Sequence, residues 1–261
     1  MKCFEIPAAF LAYYRTFEHD EMHDLKYAHT CRVVQNATRI MEGEGFSSRL
    51  RELGLMAAWL HDLGRFHQFQ KYRTFSDAVS INHALLSCCE ALRLEWLEDW
   101  SAADRHLILR AIEFHNLRDL PSGLSEDEVC LCHLVRDADK LDIYTVLDHA
   151  IETHYLPTHP EVYWGLPFAA APSPKVVAAL QAGESIDYKE IKSFADFVFI
   201  QLAWCNGGLH FATASQLTLD RQEVQVREHY LCEIVPEHAA VVHACCRVAT
   251  EALQRHALKI K

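Results

Sequence analysis

The sequence predicts an all-α fold: a helical bundle followed by a C-terminal helical extension. Three observations carry this. Apolar residues recur every three to four positions through most of the first 150 residues, helix-capping patterns stand between these runs, and no confident strand is found.

The elements follow in order. From Met22 to Met41 the residues Leu25, Val33, Ala37 and Met41 keep helical spacing, His29 lies on the same stripe, and Gly43 and Gly45 break the pattern. A second helix is expected from about Ser47 to Leu63, with Leu53, Ala57 and His61 four apart and Gly64 where a left-handed cap belongs. Residues 65–75 are aromatic and basic without a clean period and read as a functional loop with a short helix. Ser76 or Asp77 can cap a third helix, whose Val79, His83, Leu86, Glu90 and Leu94 share a face. Ser101-x-x-Asp104 opens a helix carrying Ile108, Ile112 and His115, which stops near Asn116 ahead of Pro121 and Gly123. Ser125-x-x-Glu128 opens a long helix with Cys132, Val135, Asp139 and Ile143 on one face.

Five of the eight prolines (Pro157, Pro160, Pro167, Pro172, Pro174) crowd the connection that follows. Beyond it come an aromatic helix from about Tyr188 to Asn206 ended by Gly207-Gly208, an ambiguous stretch through Asp220, and a final helix over roughly 237–258. The expected division is a helical metal-binding domain over 1–155 and an extension over 156–261 that packs on it.

Composition limits the function classes. The chain has 261 residues, half of them hydrophobic, and a formal charge of −11. That charge argues against a nucleic-acid polymer or an anionic membrane as the main partner, because both call for a basic face. No apolar run approaches the roughly 20 residues of a membrane span, and Glu5 and Pro7 interrupt the apolar N-terminus, so no signal peptide is expected and the location is read as cytoplasmic. The ten cysteines form no C-x-x-C ladder and read as reduced thiols. Cys130-x-Cys132-His133 is rejected as a zinc site, since on a helix Cys130 and Cys132 point about 200° apart.

The chemistry lies in His29, His61-Asp62, His83, His115 and Asp139, all on inner helical faces. Imidazoles and carboxylates presented by several helices to one core suit first-row transition ions (Mn, Fe, Co, Ni or Zn) better than Mg alone. Asp62 has two oxygens and can bridge two ions: His29, His61, Asp62 and Asp139 would hold one, and Asp62, His83 and His115 the other.

This ordered set resembles the HD-domain superfamily of metal-dependent phosphohydrolases, whose motif of a His, an adjacent His-Asp and a distal Asp is matched by His29, His61-Asp62 and Asp139. His83 and His115 fall where bimetallic members add two histidines. The resemblance covers roughly residues 20–150. It implies a phosphate monoester, phosphodiester or nucleotide substrate, a small phosphorylated molecule, attacked by water whose pKa a bound ion lowers from about 15.7 towards 7. Lys140, Arg65, Lys71 and Arg73 are the expected cations for the phosphoryl oxygens, with Asp62, Lys140 and Arg65 assigned to catalysis. Asn116 is a candidate substrate donor, and Arg136 and Asp142 are candidates to orient Asp139. His115-Asn116 and Leu120-Pro121-Ser122-Gly123 lack the doubled His and Gly-Tyr-Pro of the cyclic-dinucleotide subgroup, so that substrate is not expected. The same six-ligand scaffold also serves di-iron oxygenases resembling myo-inositol oxygenase. A silent nucleotide-binding regulator is the third reading, though every core ligand is present.

Overall fold

A computed structural model describes residues 4–17, 20–168 and 170–258. Among these the chain is all-helical, without a strand. It forms two compact units, residues 1–143 and 144–261, and the boundary falls inside a long helix.

The first unit begins with α1 (Ile6–Tyr14), which the sequence reading missed: Pro7 sits in its first turn, where a missing N–H costs nothing. Helix α2 (Glu21–Gly43) starts at Asp20, whose carboxylate accepts from the Met22 N–H at 2.9 Å. Helix α3 (Ser48–Leu60) is capped by Ser47. A turn at His61 and Asp62 leads directly into α4 (Leu63–Tyr72), so most of the expected loop is helical.

Two expectations are corrected here. Gly64 does not close α3 with a left-handed cap; it lies in the first turn of α4, where a Cβ would stand 2.6 Å from the His83 carbonyl and 2.8 Å from Leu86 Cβ. Its role is close approach. The third helix begins at His83, not at 76–77: Asn82 accepts from the Ala84 and Leu85 N–H groups to cap α5 (His83–Arg93), while residues 77–79 make a single 3-10 turn and Val79 is 74% exposed. Asp77 cannot serve as the cap because its carboxylate is engaged by four side chains described below.

Ser101 caps α6 (Ala102–Phe114), and Ser125 and Glu128 form the reciprocal capping box of α7 (Glu126–Glu152), both as the sequence predicts. The core of this unit gathers Val33, Ile40, Leu53, Met56, Ile108, Ile112, Leu134 and Leu141.

The second unit holds α8 (Pro174–Ala182), α9 (Phe194–Ala203), α10 (Ala212–Asp220), α11 (Glu223–Ile234) and α12 (Ala239–Ala257). Every residue of α9 is buried, Phe197 and Phe199 included, which explains its continuous apolar sequence. Its helix is shorter than expected because Ser193 and Asp196 cap it. Helices α8 and α11 were not foreseen, and α10 occupies the stretch left ambiguous. No described helix is long and apolar enough to cross a membrane. The nine described cysteines are unbridged, and Cys3 lies outside the described residues.

Candidate metal centre

Each predicted ligand comes from a different place in the chain. His29 lies mid-α2, His61 and Asp62 form the α3–α4 turn, His83 opens α5, His115 ends α6, and Asp139 lies mid-α7. All but Asp139 are buried. Placing His61 and His115 at helix ends leaves each ring free to hydrogen-bond its own last turn: His61 Nδ1 meets the Ala58 carbonyl at 2.8 Å and His115 Nδ1 the Ile112 carbonyl at 2.7 Å. His29 and His83 are instead held by carboxylates, Asp142 at 2.6 Å and Asp77 at 2.7 Å. All four imidazoles therefore donate through Nδ1 and turn Nε2 inward, the arrangement that fixes a histidine as a metal ligand.

The inward atoms converge on Asp62. Its Oδ2 lies 3.5 Å from His29 Nε2 and 3.7 Å from His61 Nε2, while its Oδ1 lies 3.5 Å from His83 Nε2 and 3.9 Å from His115 Nε2. Asp139 Oδ1 completes the first side, 3.1 Å from His29 Nε2 and 3.9 Å from His61 Nε2. Two compact ligand groups result, His29–His61–Asp139 and His61–Asp62–His115, each with its atoms within 4.8 Å of one another.

The donors fit a cation on direct grounds. His29 Nε2 and His61 Nε2 are buried without a hydrogen-bond partner, a costly condition for a polar atom unless something binds it. His83 Nε2 and His115 Nε2 lie 3.0 Å apart. With both Nδ1 atoms already donating, the neutral rings present lone pairs to each other, and a cation between them removes that conflict. Mixed imidazole and carboxylate donors suit a divalent first-row transition ion.

Electrostatics agrees. Burial pushes His61 and His83 below the ordinary histidine value and takes His115 down to about 3, helped by its histidine neighbours. These rings are neutral at pH 7. For His29, burial and Lys26 act downward, but Asp139, Asp142 and Asp62 outweigh them and raise it to about 10. A metal taken up there would displace a proton. Burial would raise the Asp62 carboxyl, yet Lys26 foremost, then His61 and His29, hold it well below the usual range.

The other predicted residues fall into two groups. Arg65 stays near the ligands: its Nε is 3.6 Å from Asp62 Oδ1, and its Nη1 donates to Gln68 Oε1, the Phe75 carbonyl and Asp77. Lys140, next to Asp139, is lowered to about 8 by burial and by Arg136. Lys71 and Arg73, by contrast, are exposed; Lys71 lies over Tyr72, and Arg73 pairs with Asp20 at 2.6 Å and stacks on Phe69. None of those partners is a ligand-type residue of the centre. Asn116 gives its amide to Asp77 at 3.1 Å and to Asn82 at 3.3 Å, so its donors are occupied. Asp142 orients His29 rather than Asp139, backed by Arg32 at 2.6 Å. Arg136 donates to the carbonyls of Phe114, Leu117 and Arg118, pinning the chain on both sides of His115.

Sequence reasoning missed Lys26 and Asp77. Lys26 lies three residues before His29, so its place on the same helical face was readable. Asp77 gathers His83, Arg65, Gln68 and Asn116 across a loop, and no spacing rule marks it. Asp77→Ala is expected to weaken binding of the ion on the His83 side about 10–100-fold while sparing the His29 side, read by titration with Co²⁺. Gly64→Ala drives a methyl into the backbone of α5, displacing His83 at a cost of about 1–3 kcal/mol. A urea midpoint unchanged from wild type would refute it.

No curated protein and no solved structure matches the chain significantly. The family model of the HD domain matches residues 27–145, a span that includes all six ligand-type residues. Over those residues the chain is similar to the HD domain, and the His/Asp cluster of the structure is compatible with an HD-type metal site.

Proposed function

We propose that this protein is a metal-dependent phosphohydrolase that cleaves a phosphate ester of a small molecule, a nucleotide or another phosphorylated metabolite. HD domains belong to a superfamily made up mostly of metal-dependent hydrolases, which gives the reaction class its starting point. The observation that supports the reading best is the placement of Asp62, with one oxygen toward His29 and His61 and the other toward His83 and His115. His29, His61, Asp62 and Asp139 would hold one divalent transition ion, and Asp62, His83 and His115 a second. Ions so held supply a water activated at neutral pH and charge stabilisation at phosphorus.

The protein's own groups do the remaining work. Asp77 and Asp142 hold His83 and His29 in their ligating tautomer. Arg65, fixed by Gln68, Phe75 and Asp77, offers a preorganised positive charge beside the ligands. Lys140, next to Asp139 on α7, is the proposed donor of a proton to the leaving oxygen.

The test is elemental analysis of the purified protein coupled to a phosphate-release screen over nucleotides and sugar phosphates with Mn²⁺, Co²⁺ or Mg²⁺. Metal-dependent release from at least one ester is expected. Two bound irons, O₂ consumption with an organic substrate and no ester hydrolysis would replace this reading with the oxygenase one.

A further inference from the structure

Lys26 lies on α2, one turn ahead of His29. Its Nζ donates to Asp62 Oδ2 at 2.7 Å, and only 13% of its side chain is exposed. That oxygen is the one facing His29 and His61. Arg65 approaches the opposite oxygen, Oδ1, with an Nε that is buried and without a hydrogen-bond partner. Both cations lie over one aromatic ring: Lys26 Nζ is 5.2 Å and Arg65 Cζ 5.8 Å from the centroid of Phe75.

We propose that Lys26 and Arg65, which share the ring of Phe75, form a phosphoryl-binding clamp at the metal centre, and that Lys26 exchanges Asp62 for a phosphoryl oxygen when a divalent cation occupies the His29 side. The substrate class named here rests on the phosphohydrolase reading.

The two cations differ in freedom. Arg65 is locked through Nη1 to Gln68, Phe75 and Asp77, so it is a fixed donor. Lys26 has the Asp62 contact and the face of Phe75, on a flexible four-carbon stem. A divalent ion held by His29, His61, Asp62 and Asp139 would compete with the ammonium for the Asp62 carboxylate, and the two positive charges would repel. The ammonium then needs another anion within reach of its stem. A phosphoryl group presented to the metal centre is such an anion, with Arg65 already beside it. Phe75 keeps both cations in partial shelter from water, where their pull on phosphate is stronger.

The experiment compares wild type, Lys26→Met and Lys26→Arg by calorimetry, first for Mn²⁺ and then, on the Mn²⁺-loaded proteins, for inorganic phosphate. Methionine keeps the length of the stem and removes the charge. Lys26→Met is expected to bind Mn²⁺ at least as tightly as wild type, which also shows that it is folded, and to bind phosphate at least 10-fold more weakly; Lys26→Arg recovers part of the loss. If Lys26→Met leaves phosphate affinity unchanged, Lys26 is only a counter-ion of Asp62 and the clamp is wrong. Wild type that binds phosphate through Lys26 but hydrolyses no ester keeps the clamp and removes the hydrolase. Wild type that hydrolyses an ester with phosphate affinity insensitive to Lys26→Met keeps the hydrolase and removes the clamp. Loaded wild type that neither binds phosphate nor hydrolyses an ester removes both.

Discussion

Asp62→Ala is expected to strip the protein of its ions and of its activity while leaving it folded. His29 and Asp139 face one side of the centre and His83 and His115 the other, while the two oxygens of Asp62 face both, within 3.5–3.9 Å of four imidazole nitrogens. His115→Ala should therefore cost one ion, and Asp62→Ala both. Turnover of the best phosphate ester should fall by about 10²–10³ or more, the scale on which a preorganised transition-state partner is lost. The fold has little reason to fail, because Asp62 is held by Lys26 and histidines and not by backbone groups of the core. Elemental analysis and circular dichroism on the variant check both halves. Retention of two ions per chain would refute the bridging role.

The largest effect on stability is expected at Arg227, far in sequence from the ligands. Its side chain is fully buried. It donates to Gln201 Oε1 at 2.9 Å and the Tyr144 carbonyl at 3.0 Å, pairs with Glu223 at 2.7 Å and Asp148 at 2.9 Å, and lies 4.4 Å from the Tyr144 ring centroid. Arg227→Met leaves the Glu223 and Asp148 carboxyls without their cation and removes the donor that Gln201 Oε1 and the Tyr144 carbonyl share. Removing one partner of a buried ionic network costs about 3–5 kcal/mol. Burial already raises the Glu223 carboxyl to about 8 against the pull of Arg227. Adding Glu223→Gln to Arg227→Met should recover part of the loss. A urea midpoint for residues 144–261 within error of wild type would show that the network is not structural.

The clustering of His29, His61, His115 and Asp139 was legible because each lies at helical spacing with apolar residues, and Asp62 because it adjoins His61; His83 was placed inward although its expected stripe, with exposed Val79, does not form. The starts of α6 and α7 were legible as well, since Ser101-x-x-Asp104 and Ser125-x-x-Glu128 close their capping bonds within four residues. What escaped depends on partners distant in sequence. Gly64 looks like a helix stop until the backbone of α5 is placed against it. Asp77 looks like a cap until His83, Arg65, Gln68 and Asn116 surround it. Helix α11 hides because its buried face includes Glu223 and Arg227, which pair with each other and so break the apolar pattern a periodicity reading needs. The basic stretch 65–73 carried too little local information to separate Arg65, beside Asp62, from Arg73, held by Asp20.

The most direct test of the account is anomalous diffraction, at the absorption edge of Mn or Co, from crystals of the protein loaded with that ion. The account predicts two peaks flanking Asp62, one among His29, His61 and Asp139 and the other beside His83 and His115. Density at neither place in crystals of the loaded protein, or a peak coordinated by other residues, would contradict it.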